Sequence, residues 1–325
     1  MTSKTCPDCS SPAKSPIVRR DFLQVAASIA ALPLAARMVH GAPASVGSAE
    51  TIVGEFHTSL TEQQRSEICR PFADPIRSKV NANWHVTKPL IGSDFYTVKQ
   101  REMIDKIVRA VTSEEGHARL IRQMDDDSGG LGDYSVAVFG NPTQGDFQWL
   151  LTGRHLTLRA DGDSSPKMAF GGGMVYGHGE ESSASENIFY YQTKKVNEVF
   201  AALDKDQAKQ ALLSSAAPKE TEIRIQGEKG TFAGLAVSAM NKEQQSLVKD
   251  CLNTLLSPYR KEDGDEAMKL IDATGGIEQL RFAFYQQEDL GNDKVWDMWR
   301  IEGPSAVVHF RGAPHVHAYI NIAQV

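Results

Sequence analysis

Histidine is the residue type whose placement in this chain could do chemistry. Five of the nine histidines, His155, His178, His309, His315 and His317, fall in or beside extended or glycine-rich segments. In Pro314-His-Val-His-Ala-Tyr-Ile320, alternation along a strand puts His315, His317 and Tyr319 on one face and Val316, Ala318 and Ile320 on the other. Two imidazoles two positions apart on one strand face can share a metal ion. They need a third ligand from elsewhere, and a catalytic site keeps a further position for water or substrate. His155 is the expected third ligand, with His178 as a further metal-site residue; Glu180 or Glu181 would supply a carboxylate ligand or general base, and Arg311 would stand behind the ligands as a further catalytic candidate. A divalent transition metal held this way, zinc foremost, would acidify a bound water. Arg154 and Arg311 flank the histidine motifs, where they could grip an anionic substrate bidentately or form solvated salt bridges. The plain alternative is a set of strand histidines hydrogen-bonded to their neighbours.

Competing chemistries find little support. There is no Gly-x-Ser-x-Gly elbow for a serine nucleophile. Cys6 and Cys9 sit in a leading segment expected to be removed, and Cys69 and Cys251 stand in helix-like stretches without the context of a thiol nucleophile, so neither a disulfide framework nor a thiol enzyme is expected. The stretch from Phe170 to Gly179 holds five glycines in ten positions and reads as a loop. It lacks the spacing of a nucleotide-phosphate cradle. Asp125-Asp126-Asp127-Ser128-Gly129-Gly130 has no bidentate Glu further on, as a calcium loop would, and reads as a solvated helix exit. His57, His85 and His117 read as structural or surface residues, and Tyr285, Trp296 and Trp299 as core.

The elements that must position the histidines carry a repeat. An apolar or aromatic residue, then Thr, Asp or Asn, then Gln three residues on, occurs at Leu60-Thr61 with Gln64, Tyr96-Thr97 with Gln100, Leu203-Asp204 with Gln207, and Met240-Asn241 with Gln244. Each is a capping box: the cap side chain accepts from a first-turn amide and Gln reaches back to the cap. The second pair of caps follows the first by 143 to 144 residues, and Trp149-Leu-Leu-Thr-Gly153 aligns with Trp299-Arg-Ile-Glu-Gly303 at an offset of 150. Tyr134 to Phe139 likewise resembles Leu280 to Tyr285. The reading is an α+β fold built from an internally duplicated unit, two helices followed by antiparallel strands, with the copies related by a pseudo-twofold. Repeat 1 covers about 57–165, a glycine-rich connection about 166–185, and repeat 2 about 200–320.

Residues 1–44 read as a twin-arginine-type signal peptide. Arg19-Arg20 precedes a short apolar stretch from Phe22 to Ala36, and Ala42-Pro43-Ala44 offers a small-x-small cleavage site. Its removal takes five of the 35 basic and two of the 41 acidic residues, leaving 30 and 39 and a net charge of −9. That surface argues against nucleic acid as a partner, and no segment beyond the leader is apolar for long enough to span a bilayer. A periplasmic or extracellular single domain over residues 45–325 is the expectation, with an unknown small molecule or peptide as its ligand.

Trp149-x-x-x-Gly-Arg-His155, Trp299-Arg-Ile-Glu-Gly-Pro304 and His309-Phe-Arg-Gly-Ala-Pro-His-Val-His317 together resemble the family called domain of unknown function 3500, from about His57 to the end of the chain. That family is known largely from bacteria, often carries export signals and has no established activity. Its usual Gly-His-His motif appears here as Gly153-Arg154-His155, so Arg154 departs from the pattern while His155, His315 and His317 match it. Two functions follow as expectations: a metal-dependent enzyme, a hydrolase in the first instance, or a non-catalytic extracytoplasmic protein that binds its ligand in the cleft between the repeats.

Overall fold

The computed structural model describes residues 48–183 and 187–325, so the leader with its arginine pair and cleavage site lies outside the described residues. The chain starts with helices α1 (Ala49–Ser59) and α2 (Glu62–Ile68) and a two-residue strand β1 (Cys69–Arg70). After an irregular segment come α3 (Val98–Ala110), α4 (Glu114–Asp127) and strands β2 (Ser135–Gly140), β3 (Phe147–Gly153), β4 (Leu156–Ala160) and β5 (Met174–His178). A second run follows in the same order. It comprises α5 (Tyr190–Ala201), α6 (Lys205–Ala211), β6 (Leu212–Leu213), an irregular segment holding β7 (Leu235–Ala236), α7 (Lys242–Leu256), α8 (Lys261–Asp272), β8 (Arg281–Tyr285), β9 (Met298–Glu302), β10 (Ala306–Arg311) and β11 (Val316–Ile322).

All the described strands join one sheet in the order β1-β2-β3-β4-β5-β11-β10-β9-β8-β6, with β7 added on β8. The short strands β1 and β6 run parallel to β2 and β8, and the remaining pairs are antiparallel. The fold is therefore α+β, as expected. Two expectations need correction. Each run carries four helices rather than two, and Met174–His178, inside the glycine-rich stretch read as a loop, is a buried strand paired with β11. The glycines hid it: Gly177 is needed because a Cβ there would overlap the carbonyl oxygen of Val316 and stand 3.2 Å from the Cβ of His155.

The capping boxes form at all four predicted sites, with both reciprocal bonds present at Thr61, Thr97, Asp204 and Asn241. Their glutamines also tie helix to helix. Gln64 and Gln100 exchange side-chain hydrogen bonds of 3.0 Å, and Gln207 and Gln244 exchange bonds of 3.1 and 2.7 Å. Each box thus satisfies a helix start and fixes that start against its neighbour.

The helices cover one face of the sheet, where Trp149, Trp299, Phe282, Phe284 and Phe310 are buried in the main core. Along β11 the expected alternation holds. Val316, Ala318, Ile320 and Ile322 enter that core, while Tyr319 packs with Val175 and Ala82 in a separate cluster. Irregular segments supply the cover on this second face, Val80 and Ala82 from the first run and Ile223 from the second. His317, one pleat from Tyr319 on the same side, is thereby sealed under the second segment.

Candidate metal centre

His155 and the distant pair His315 and His317 meet at the start of β11. The ring nitrogens that His155, His315 and His317 can offer lie within 4.8 Å of one another, and the three residues are buried. His315 Nε2 and His317 Nε2 are 3.0 Å apart. Two nitrogens on one tetrahedral ion at metal distances of roughly 2.0 to 2.1 Å would stand roughly 3.3 Å apart, so small side-chain adjustments suffice.

Local structure explains how each ring arrives. His315 and His317 are two residues apart at the start of β11, which Val316 N–H anchors on the carbonyl of Glu180 at 3.2 Å. His155 occupies the two-residue turn between β3 and β4 in a left-handed conformation, with φ of 54°. That conformation is uncommon outside glycine, and it is held from several sides. The His155 N–H donates to Ala82 O at 2.6 Å, its carbonyl accepts from Gln123 Nε2 at 2.8 Å, and its ring is gripped by Asp127. Gln123 and Asp127 are one turn apart on α4, so a single helix face fixes both the backbone and the ring of His155.

Two buried carboxylates then orient the rings. Asp127 Oδ2 lies 2.6 Å from His155 Nδ1, and both Glu220 oxygens lie 3.0 Å from His317 Nδ1. An ionised carboxylate only accepts, so each facing Nδ1 donates and each Nε2 keeps its lone pair. Glu220 is itself held by Tyr319 O–H at 2.6 Å and Arg311 Nη1 at 3.0 Å. Burial pushes His315 down to about 3, and the neighbouring His317 and His155 reinforce the shift. Burial lowers His155 against the opposing pull of Asp127, and lowers His317 against that of Glu220. Burial alone would raise Glu220, but the hydrogen bond and charge of His317, with Arg311 behind it, bring the carboxyl to about 2. The result is three imidazoles neutral at neutral pH, two of them hydrogen-bonded to carboxyl groups, the protonation pattern in which imidazole ligates a metal.

The other candidate residues divide. Arg311 lies beside the cluster, with Nη2 3.5 Å from His315 Nε2 and Nη1 on Glu220. His178 does not join the three: it pairs in register with Val316, on the sheet face opposite His317, and its Nε2 lies 3.2 Å from Asp126. Glu180 and Glu181 are exposed, and their carbonyls accept from Asn187 Nδ2 at 3.0 and 3.1 Å. His309, on β10, is buried beside Arg300, whose Nε lies 3.3 Å from its Nδ1. His117 is buried near Asp105, and Cys69 and Cys251 are free thiols. Asp127 corrects the solvated-exit reading of the aspartate run, because its side chain is only 2% exposed. Its position four residues after the core residue Gln123 on an amphipathic helix was the available signal. Glu220 carried none: it lies 97 residues before His317 in a segment with no periodicity.

No described helix is long and apolar enough to cross a membrane. Comparisons with curated proteins and with solved structures returned no match. The sequence does match, over residues 43–321, the family described as Protein of unknown function (DUF3500), and the chain belongs to that family.

Proposed function

We propose that this protein is a metal-dependent enzyme, a hydrolase, in which His155, His315 and His317 hold one divalent transition metal. Zinc is the first choice because three imidazoles with a position left for water are a common catalytic zinc set, although copper, iron and nickel also accept imidazole. The observation that carries the reading is the pair of buried carboxylates, Asp127 on His155 and Glu220 on His317, each fixing the ring tautomer that turns a lone pair toward its neighbours. A buried histidine cluster kept only for packing has no use for two desolvated carboxylates aimed at its outer nitrogens. When bound, the metal would supply an acidified water at neutral pH. Hydrolysis of ester, phosphoester and peptide probes should appear in the metal-loaded protein and vanish both on chelation and in His317→Ala. Turnover that survives chelation and the substitution would overturn the reading. Tight metal binding without turnover would favour the non-catalytic ligand-binding alternative.

We further infer that residues 45–325 are one internally duplicated domain, with the pseudo-twofold passing between β5 and β11. The repeated element order, the two reciprocal glutamine pairs and the matching registers support this: Trp149 lies opposite Val138 and Ala160, and Trp299 opposite Phe284 and Phe310. For residues 1–44 the proposal remains a twin-arginine signal and a periplasmic or extracellular location, supported by Arg19-Arg20 and Ala42-Pro43-Ala44. Replacing both arginines with lysine should trap precursor in the cytoplasm, and unchanged export would contradict it.

A further inference from the structure

We propose that the cleft walled by Arg154, Asp127 and His178 binds an oxyanion, the carboxylate or phosphate of a small substrate, on the guanidinium of Arg154. The cleft has a volume of about 460 Å³, with Arg122, Asp126, Asp127, Arg154, His178 and Glu180 in its walls. That size suits a small molecule, and its charged lining suits a polar one.

Between the two wall cations Arg154 stands apart. Arg122 Nε is paired with Asp126 at 3.3 Å, and Asp126 also meets His178 at 3.2 Å. Asp127 is committed to His155 and to Gly179 N–H at 2.7 Å. No hydrogen bond or ion pair to any described residue engages the Arg154 guanidinium, and its Nε is buried without an acceptor. Its main chain, by contrast, is fixed: Tyr134 O–H donates to Arg154 O at 2.8 Å, and the residue bridges to Asn83. A guanidinium presents a planar fork of donors that matches carboxylate and phosphate oxygens, and a buried N–H without an acceptor is costly until something accepts from it. An anion is therefore the ligand chemistry this wall lacks.

Placement ties the anion to the chemistry. Arg154 immediately precedes His155 in the β3–β4 turn, and Asp127, which lines the same cleft, is the residue that grips the His155 ring. A substrate held by its anionic end on Arg154 would have its remaining part directed along the cleft wall formed by Asp127, the partner of His155. The assignment of that part as the reacting end rests on the proposed metal-dependent reading, whereas anion binding itself does not.

The test is calorimetric titration of the full chain, freed of any polyhistidine tag, with inorganic phosphate and separately with succinate. Saturable binding of one anion per chain is expected, and the tighter of the two names the source chemistry. Arg154→Gln should weaken it at least tenfold with metal content unchanged, Arg154→Lys should recover part of the loss, and Glu180→Gln should tighten binding by about threefold at low salt by removing a like charge from the wall. Failure of both anions to saturate the wild type overturns the proposal, as does wild-type affinity in Arg154→Gln. If Arg154→Gln proves unfolded by circular dichroism, unchanged affinity in Glu180→Gln overturns it. A protein that binds anion through Arg154 but never holds metal would leave this inference standing and remove the metal-dependent reading. Metal without anion binding would do the reverse.

Discussion

At the scale of single residues, the histidines announced themselves and their partners did not. His315 and His317 are two apart in a strand, so period-two alternation places them together, and the Trp-x-x-x-Gly segments placed His155 near a turn. The carboxylates that orient them belong to a helix end and to an irregular segment, and neither position has a spacing that points across the fold. Their role gives a direct prediction. Asp127→Asn and Glu220→Gln keep the side-chain size but remove the charge that fixes the ring tautomer, so each should weaken metal binding by roughly 10- to 100-fold while His155, His315 and His317 remain in place. Competition against a chromogenic chelator measures this. Unchanged affinity in both variants would mean the carboxylates serve only the fold.

At the scale of elements, helix starts were legible because capping boxes are local chemistry, and all four formed at the predicted residues. Strand β5 was not, because a glycine-rich run reads as a loop unless the partner strand is known. Its glycine at 177 is demanded by the crossing of Val316 and His155, a contact between segments that no local pattern reveals. Gly177→Ala should therefore cost about 2 kcal/mol, the range for forcing a methyl group into a packed site. It should also displace His155, since the new Cβ would meet that residue's own Cβ. Urea unfolding and metal analysis of the one variant read both effects, and wild-type behaviour in each would contradict the geometry. The additional helices α1, α4, α5 and α8 lie outside the repeated signature because none opens on a capping box: α1 and α4 have a capping serine without the reciprocal glutamine, and α5 and α8 have no side-chain cap.

At the scale of the whole molecule, the site is assembled from α4, the β3–β4 turn, the segment around Glu220 and the start of β11, so it exists only when the sheet is complete. Two consequences follow. The first is acid sensitivity of the metal-free protein. His155, His309, His315 and His317 are all depressed by burial, His309 and His315 to about 3, whereas an unfolded imidazole titrates near pH 6.5. Between those values the unfolded chain binds more protons, so stability is complete above about pH 6.5 and falls as pH drops, by up to about 1.4 kcal/mol per pH unit for each histidine. Asp161, raised by burial to about 6, works the other way, and its contribution is lost as pH rises; burial also raises Asp263, Glu266 and Asp297, while the depressed His57 and His117 add to the histidine side. The urea midpoint in the presence of chelator should drop between pH 6.5 and 5.5 by the equivalent of more than about 2 kcal/mol, and a flat profile would show that these imidazoles are not buried neutral.

The second consequence is that metal binding and folding are linked, because the unfolded chain has no preformed site. The most direct measurement is metal content by mass spectrometry, with thermal unfolding in parallel, on untagged wild-type protein and His317→Ala. The account predicts one equivalent of a divalent transition metal per wild-type chain, a higher unfolding temperature with it than after chelation, and a folded but metal-free variant. Wild-type protein that takes up no metal, or a His317→Ala variant that holds as much, would contradict it.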